Sequence, residues 1–181
     1  MREIEDADAD GIFKLESDPR VHAYLGKKPI HTMKQALSII ERIKMQYRDN
    51  GIGRWAVVDR KSNAFMGWAG LKYERELREE LDYFDLGYRI RPRYWSQGIA
   101  TECALQLLHY GFENKGLAEI CASAEVGNGA SNHILRKIGM SFVETFEFKG
   151  MLVNFYKMER SSWIDMNPEI DMSPKIDSSE P

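Results

Sequence analysis

Cysteine is scarce in this sequence, and it contains no long apolar run and no visible targeting segment. The two cysteines, Cys103 and Cys121, lie within apolar patterns that lack metal-ligand spacing. Two such thiols argue against a disulfide framework and against a metal site, and they favour a reduced compartment. No stretch approaches the roughly 18 apolar residues of a membrane span, and no signal peptide is recognisable. We therefore expect a cytoplasmic protein with no membrane partner and no bound metal.

An excess of positive charge is also lacking. The chain has 25 Lys and Arg against 28 Asp and Glu, which gives a formal net charge of −3. Nucleic acid is therefore not an expected partner. A length of 181 residues, 43% of them hydrophobic, suits one domain with a sizeable core.

The C-terminal end has few aliphatic residues. From Ser161 onward, Pro, Asp, Ser and Glu dominate, and such a segment has too little apolar surface to offset the entropy cost of ordering. We predict one folded domain over residues 1–160 and a disordered C-terminal tail over 161–181, with 165–181 as its minimum extent.

The most informative stretch is residues 85–102. Apolar and polar residues alternate over 85–90, which predicts a strand, and Pro92 ends it. Gly98 then opens a pattern of apolar residues at helical spacing. A glycine at a helix start leaves backbone N–H groups free and suits a phosphate or pyrophosphate. Many such turns carry glycine for steric reasons alone, so the spacing by itself leaves both interpretations open.

The remaining patterns predict helices alternating with strands. Strands are predicted at about residues 1–4, 54–59, 64–71, 82–91, 119–126, 141–148 and 151–158, and helices are predicted to begin at residues 6, 18, 32, 98 and 128. The second of these helices is short and ends near Gly26. The charged run 72–80 is predicted to be a solvated loop or a short exposed helix. Strand 119–126 should lie parallel to strand 82–91 through a right-handed crossover.

Residues 85–102 also resemble the acyl-CoA loop of the GNAT superfamily of N-acetyltransferases. The resemblance rests on Leu86-Gly87-Tyr88, Pro92, Tyr94-Trp95, Gly98 and Ala100-Thr101-Glu102. Residues 95–100 fit the last half of the superfamily pattern Gln/Arg-x-x-Gly-x-Gly/Ala. Trp95 replaces the first Gln or Arg, as is usual in the RimJ/RimL-like branch, which this sequence resembles most.

Further similarity covers about residues 3–159. Residues 18–26 resemble the first helical region of the family, 55–57 and 65–71 its two strands before the core, and 128–131 with 137–140 its second core helix. The resemblance implies an α/β (α+β) fold with a single GNAT domain. Its mixed central sheet would have about six to seven strands, with helices on both faces and strands that part at the acyl-CoA site.

By the same resemblance, the chain would move an acetyl group from acetyl-CoA directly to a primary amine. Pantetheine would bond to the backbone of Ile90 and Arg91, and Asn128 and Ser131 would also contact the cofactor. The pyrophosphate would lie on the loop and helix start formed by Gln97, Gly98, Ile99, Ala100, Thr101 and Glu102. The side chains of Arg91 and Arg93 are either solvated charges or partners of a CoA phosphate.

Ser131, Asn128 and Asp85 are the candidates for the chemistry. Many GNAT enzymes carry a tyrosine acid on the second core helix, but Arg136 stands at that position here. Ser131 is therefore the predicted proton donor to the leaving thiolate, unless its hydroxyl only bonds local backbone. Asp85 lies on the strand where the family often has an acidic residue. It is either a general base or a surface carboxylate, with Glu144, Glu147 and a water relay as the other possibilities.

Tyr24, Trp55 and Tyr83 are predicted to line the acceptor side, together with the hairpin around Phe146 and Tyr156. Core packing is the alternative for each of these aromatic residues.

The branch favours a protein N-terminal α-amine, of the ribosomal-protein type, as acceptor. A small-molecule amine, amino acid or drug is the alternative. An alternative of another class is a CoA-binding regulatory module without catalysis. A monomer or a homodimer is expected.

Overall fold

The computed structural model describes residues 1–75, 77 and 82–168. The first half of the chain forms β1 (Arg2–Glu3), α1 (Ala9–Glu16), α2 (Met33–Asn50), β2 (Arg54–Val58), β3 (Phe65–Glu74) and β4 (Tyr83–Ile90). The second half forms α3 (Ile99–His109), β5 (Glu119–Glu125), α4 (Gly129–Lys137), β6 (Ser141–Phe148), β7 (Met151–Glu159) and α5 (Arg160–Met166). A π-helical turn, Tyr110–Asn114, extends α3.

The strands of the described chain form one seven-stranded sheet in the order β1-β2-β3-β4-β5-β7-β6. β4 and β5 are parallel, and the other neighbouring pairs are antiparallel. Helices α1 and α2 pack on one face, the α1–α2 face. Helices α3, α4 and α5 pack on the opposite face, the α3–α4 face. The predicted α/β fold, a mixed sheet with helices on both faces, is confirmed.

The parallel strands β4 and β5 are joined over a very short length. Their register contains a single pair, Asp85 with Cys121, although β4 continues to Ile90 and β5 to Glu125. On its other edge β4 stays paired with β3 as far as Ile90, which lies opposite Gly67. The two strands therefore part beyond Asp85. We call this opening the β4–β5 gap, and it confirms the predicted parting of the strands.

Local capping patterns set the ends of two helices as predicted. At the start of α2, Thr32 Oγ1 accepts from the Gln35 N–H (3.3 Å), and Gln35 Oε1 accepts from the Thr32 N–H (3.0 Å). At the start of α4, Asn128 Oδ1 accepts from the Ser131 N–H (3.1 Å). Just after α4, Gly139 adopts φ +91, a left-handed conformation that glycine enters at little cost.

Two local predictions were wrong. Residues 17–27 form successive turns instead of a short helix over 18–26, because bonds such as Val21 N–H to Asp18 O (3.1 Å) span only three residues. Strand β3 also runs to Glu74, into the charged run predicted as a loop. Lys72 and Glu74 can stay in the sheet because they pair with each other at 2.5 Å. Most of residues 75–80 lies outside the described residues.

The start of the predicted tail was also wrong, because residues 160–166 form α5. Trp163 is 4% exposed, its ring stacks on Phe112 (5.9 Å between ring centroids), and its Nε1 donates to Glu113 Oε1 (3.0 Å). One buried tryptophan offsets the shortage of aliphatic residues in this segment. Residues 169–181 lie outside the described residues, and disorder there stays a prediction.

In the described part of the chain, no helix combines the length and the apolar character needed to cross a bilayer. Among the same residues, no three His, Cys, Asp or Glu side chains converge as a metal ion would require. Cys103 and Cys121 are both buried within the core and form no disulfide.

Candidate active site

The unpaired edge of β4 turns alternate backbone N–H groups toward the β4–β5 gap. The Arg91 N–H donates to Met66 O (2.8 Å), so in the antiparallel pairing with β3 the odd-numbered residues face β3. The N–H groups of Tyr88 and Ile90 consequently face the gap. The Ile90 carbonyl accepts from Trp95 Nε1 (2.6 Å), so Ile90 offers its N–H alone. The gap thus contains two backbone donors aligned along one strand.

The structure narrows the predicted pantetheine contacts. The Arg91 N–H already donates to Met66 O, and the Arg91 carbonyl accepts from the Tyr94 N–H (2.9 Å). Its guanidinium donates to Phe65 O (3.3 Å). The prediction for Arg91 is therefore withdrawn, since both backbone groups have partners. Tyr88, which sequence reasoning did not select, takes its place beside Ile90.

The loop between β4 and α3 presents a row of N–H groups. The first N–H bonded into α3 is that of Glu102, which donates to Gly98 O (3.0 Å). Among the described residues, the N–H groups of residues 96–101 donate to no protein atom. Together with the positive end of the α3 dipole they suit a pyrophosphate. This set contains the predicted residues Gln97, Gly98, Ile99, Ala100 and Thr101 but excludes Glu102, whose N–H is engaged.

Position 98 requires glycine because of its backbone conformation and not because neighbouring atoms leave no space for a side chain. It adopts φ +79, a region that other residues enter with strain. A Cβ built on Gly98 would meet no atom within 4 Å. The space beyond its backbone is therefore open to a ligand, and crowding by the protein does not account for this glycine.

A hydroxyl pair connects β4 with the start of α4. Tyr88 OH lies 3.1 Å from Ser131 Oγ, and either group can donate. Burial raises the pKa of Tyr88 to about 12, so its phenol keeps its proton at neutral pH. The Ser131 hydroxyl bonds this phenol and, among the described residues, no local backbone group. Sequence reasoning missed Tyr88 because it occupies an apolar position in the alternation of β4.

A buried amide fixes the first turn of α4. Asn132 is 3% exposed, and its Oδ1 accepts from Asn154 Nδ2 and from Tyr156 OH, both at 2.8 Å. Its Nδ2 donates to Asn128 O (2.8 Å). The first turn of α4 is thus tied to β7, which holds Ser131 in place. Tyr156 is fully buried in this network and does not line the acceptor side.

Asp85 is neither a surface carboxylate nor close to the donors of the gap. It points to the α1–α2 face, where its Oδ2 lies 3.9 Å from Arg54 Nη2. Burial raises its pKa to about 7, against the opposing effect of Arg54. It stands level with Cys121, where the strands still pair, and about 10 Å along the strand from Tyr88. We therefore assign no chemical step to Asp85.

A charged cluster that sequence reasoning missed anchors α1 to the sheet. Glu16 is 2% exposed and accepts from Trp68 Nε1 (2.9 Å), His22 Nε2 (3.1 Å) and Arg89 Nη1 (2.5 Å). The guanidinium groups of Arg54 and Arg89 lie over the Trp68 ring, 4.5 and 5.1 Å from its centroid. A cavity of about 510 Å³ lies beside this cluster, between α2 and the strands β3 and β4. No short sequence motif signals such a cluster, because its members are far apart in the chain.

Tyr24 is the one predicted acceptor residue that lies near the gap. It is 44% exposed, in the turns that follow α1. A Cβ built on Gly127 would lie 3.5 Å from Tyr24 Cε1 and 3.0 Å from Glu125 Oε2. Tyr24 and Glu125 therefore approach the same spot at the open end of β5.

The structure places Trp55 and Tyr83 away from the β4–β5 gap. Trp55 lies on β2 and meets Tyr110 edge-on (4.6 Å between centroids) in the core of the α3–α4 face. Tyr83 is 3% exposed at the closed end of β4, where its ring meets Phe155 (5.3 Å). Phe146 packs against the same Phe155 ring (6.2 Å). These aromatic residues pack in or against the hydrophobic core. The alternation of residues within a strand does not reveal which face of the sheet is the acceptor side.

Comparison with known proteins adds independent findings. A family model described as an acetyltransferase (GNAT) domain matches residues 1–141. The uncharacterized N-acetyltransferase YoaA of Bacillus subtilis is 32% identical over 139 residues, which cover 77% of each chain. An FsC-acetyl coenzyme A-N(2)-transacetylase of Aspergillus fumigatus is 34% identical over 100 residues, 53% of this chain and 42% of that protein.

A solved structure shares the fold over nearly the whole chain. Spermidine N-acetyltransferase from Vibrio cholerae, in complex with CoA and spermine, superposes with a TM-score of 0.73 at 19% identity. The match covers 90% of this chain and 96% of that one.

Proposed function

This chain belongs to the GNAT family of acetyltransferases, and from that premise we propose where it binds acetyl-CoA and which amine it acetylates. Acetyl-CoA-dependent N-acetyl transfer follows from the family and from the named relatives. The roles of individual residues and the acceptor are the proposal. One observation carries it: the donors of the β4–β5 gap lead directly into the row of N–H groups over residues 96–101.

We propose that the pantetheine arm lies along the unpaired edge of β4. The N–H groups of Tyr88 and Ile90 would bond to it in the manner of a neighbouring strand. The pyrophosphate would occupy the loop around Gly98, where N–H groups and the α3 dipole both favour negative charge. Arg93 is exposed beside this loop, with its guanidinium 4.6 Å from the Tyr94 ring centroid, and it is the candidate partner of a CoA phosphate.

Acetyl-CoA supplies a thioester carbonyl that the neutral amine attacks and from which a thiolate departs, and the proton that the nitrogen loses passes to water. A backbone N–H in the gap stabilises the negative charge that develops on the carbonyl oxygen. Ser131 Oγ donates a proton or a hydrogen bond to the departing sulfur, and Tyr88 OH donates to Ser131 as that charge grows. The N-terminus of α4 favours the same negative charge. Asn128 holds this turn through its bond to the Ser131 N–H.

Two acceptor classes have support. A small-molecule primary amine is favoured by the names of the Vibrio cholerae neighbour, which acts on spermidine, and of the Aspergillus fumigatus transacetylase. Tyr24, in the turns after α1, also approaches Gly127 just beyond the end of β5, with its Cε1 3.5 Å from a built Gly127 Cβ. A protein N-terminal α-amine is the second candidate, favoured by the RimJ/RimL-like motif around Trp95. We rank the small amine first.

The test is thiol release from acetyl-CoA with a matched acceptor panel. Spermidine and simple alkylamines represent the first class, and short peptides with free or blocked N-termini represent the second. We expect turnover with at least one free amine and none with the blocked peptide. CoA binding without thiol release on any acceptor would contradict the proposed function. Turnover confined to free peptide N-termini would reverse the ranking.

A further inference from the structure

Glu125 carries a buried carboxylate oxygen that has no hydrogen-bond partner in the described part of the chain. It is the last residue of β5, and its Oε2 is shielded from solvent without accepting a hydrogen bond. Among the described residues, no Lys, Arg or His forms an ion pair with it. Burial of a carboxylate oxygen in that state is costly, because the oxygen has lost water contacts without gaining a donor.

The register of the sheet places Glu125 beside the backbone donors of the gap. Continuing the parallel pair Asp85–Cys121 along both strands brings Glu125 level with Arg89. It therefore stands between Tyr88 and Ile90 along the strand axis. By the alternation of β5, its side chain points to the α1–α2 face, as Cys121 does. It thus lies on the opposite face from Ser131 and α4.

An aromatic ring flanks the same carboxylate. Tyr24 Cε1 and Glu125 Oε2 lie 3.5 and 3.0 Å from one point above Gly127. Gly127 leaves that point empty because it has no side chain. A carboxylate beside an exposed aromatic ring is a favourable arrangement for an ammonium group, which gains a charge-assisted hydrogen bond and a cation–π contact.

Other buried carboxylates of this face already have cationic partners. Asp85 faces Arg54 at 3.9 Å, and Glu16 bonds Arg89. Glu74 pairs with Lys72. Glu125 differs because no cation of the described residues pairs with it, although it lies nearest to the gap.

We propose that Glu125 and Tyr24 bind the ammonium group of the acceptor. The inference rests on the proposed function and specifies its substrate class: primary amines that arrive as cations. Glu125 accepts the hydrogen bond of the ammonium, and Tyr24 covers it from the α1–α2 side. The bound nitrogen is then held at the level of the gap donors, from the face opposite Ser131. It attacks as the neutral amine after its proton has passed to the Glu125 carboxylate, which releases that proton to water.

Calorimetric binding of spermidine and of butylamine to the CoA-loaded protein tests the proposal. Glu125→Gln keeps the shape and removes the charge, and we expect it to weaken both amines at least tenfold. Glu119→Gln is the matched control. Glu119 lies on the same strand and points to the same face, about 20 Å away, in an exposed ion pair with Lys157 (3.6 Å). We expect it to change amine affinity less than twofold.

Two further variants act on the same spot. Tyr24→Leu should weaken the amines about two- to fivefold by removing the ring face. Gly127→Ala places a methyl group 3.0 Å from Glu125 Oε2, and it should weaken amine binding while CoA affinity stays unchanged. If Glu125→Gln fails to fold, these two variants decide the outcome.

The proposal is overturned if the wild-type protein binds neither amine, or if Glu125→Gln binds them within twofold of wild type. An equal loss in Glu119→Gln, or an equal loss of CoA affinity, overturns it as well. Intact amine binding without thiol release would instead contradict the proposed function and leave the ammonium site standing.

Discussion

At the scale of single residues, the contact between Tyr88 and Ser131 has the clearest chemical consequence. A serine hydroxyl is a poor acid by itself, but a phenol that donates to it lets the serine proton point elsewhere. Burial keeps the pKa of Tyr88 at about 12, so this donor is present throughout the neutral range. The pair can supply from β4 and α4 together what a tyrosine on α4 would supply alone.

Removing either hydroxyl should slow turnover. We expect Ser131→Ala to lower kcat about 10²-fold, at the low end for a positioned acid, because a thiolate with a conjugate-acid pKa of about 8.5 needs only modest help. Tyr88→Phe should lower kcat about tenfold, and the double variant should lose less than the product of the two losses. The KM for acetyl-CoA should change little, because the contact acts mainly in the transition state.

Steady-state thiol release at saturating acceptor measures these effects, with folding checked by circular dichroism. Ser38→Ala is the matched control, since Ser38 is an exposed hydroxyl on α2. If Ser131→Ala keeps more than about half of the wild-type kcat while chemistry is rate-limiting, then Ser131 has no role in protonating the sulfur.

Asp85 should make stability fall as the pH rises. Its pKa is about 7 in the folded protein and about 3.9 when unfolded, so between these values the folded state holds more protons. The stabilisation is fully present below about pH 4 and is lost as the pH rises through about 7, by at most about 1.4 kcal/mol per pH unit. Asp85→Asn should lack this slope.

Urea unfolding of both proteins from pH 5 to 8 measures the effect as the difference in free energy of unfolding. Burial lowers the pKa of His22, which acts in the opposite direction, but His22 is present in both proteins and cancels in the difference. A difference that stays constant across this pH range would show that Asp85 is already ionised in the folded protein.

At the scale of elements, the loop between β4 and α3 is where backbone conformation and binding coincide. Gly98 and Gly150 share φ +79, and neither has an atom within 4 Å of a built Cβ. Gly150 lies in the turn between β6 and β7, away from the free N–H groups. The two glycines therefore separate the cost of backbone strain from the cost of blocking a ligand.

We expect Gly98→Asp to weaken CoA binding at least tenfold, about 1.4 kcal/mol, because it adds bulk and like charge beside the proposed pyrophosphate. Gly150→Asp introduces the same strain and should leave CoA affinity unchanged. Calorimetry of CoA binding compares the two folded variants. Equal CoA affinities of the two variants would show that the pyrophosphate does not bind at this loop.

The sequence predicted those parts of the site that depend on neighbouring residues. The strand before Pro92, the helix start at Gly98 and the cap at Asn128 each follow from patterns a few residues long. The Tyr88–Ser131 contact spans 43 positions, and the Glu16–Arg89 pair spans 73. Such contacts depend on strand order and on which sheet face each helix covers, and residue spacing specifies neither. For the same reason, residue spacing did not reveal that Trp55 and Tyr83 pack in the core.

At the scale of the whole molecule, the sheet separates the residues proposed to bind the two substrates. The α3–α4 face holds Ser131, α4 and the loop of free N–H groups, and the α1–α2 face holds Glu125, Tyr24 and the Glu16 cluster. The β4–β5 gap is the opening through which the two faces meet. We infer that the acetyl donor and the amine approach the gap from opposite sides.

The folded unit should end with α5. Deleting residues 169–181 should shift Tm by no more than a few degrees, because this segment has little apolar residue content to bury. Trp163→Ala should cost about 3–5 kcal/mol, on the order of 10 °C for a chain of this size. Thermal unfolding followed by circular dichroism compares the two. A deletion as costly as Trp163→Ala would show that residues 169–181 dock on the domain.

The single pair that joins β4 to β5 also affects how the protein exchanges amide hydrogens with solvent. The middle of a seven-stranded sheet is ordinarily its slowest-exchanging region, because both edges of each strand are bonded. Here the amides of Tyr88 and Ile90 face the β4–β5 gap, beyond the one registered pair of β4 with β5, although their strand has neighbours on both sides. They should exchange as quickly as those of an edge strand, while Arg89 and Arg91 between and beside them stay protected by β3. A ligand bound in the gap would slow amide exchange at Tyr88 and Ile90 and leave exchange at Arg89 and Arg91 unchanged. Alternate residues of one strand would therefore report ligand binding.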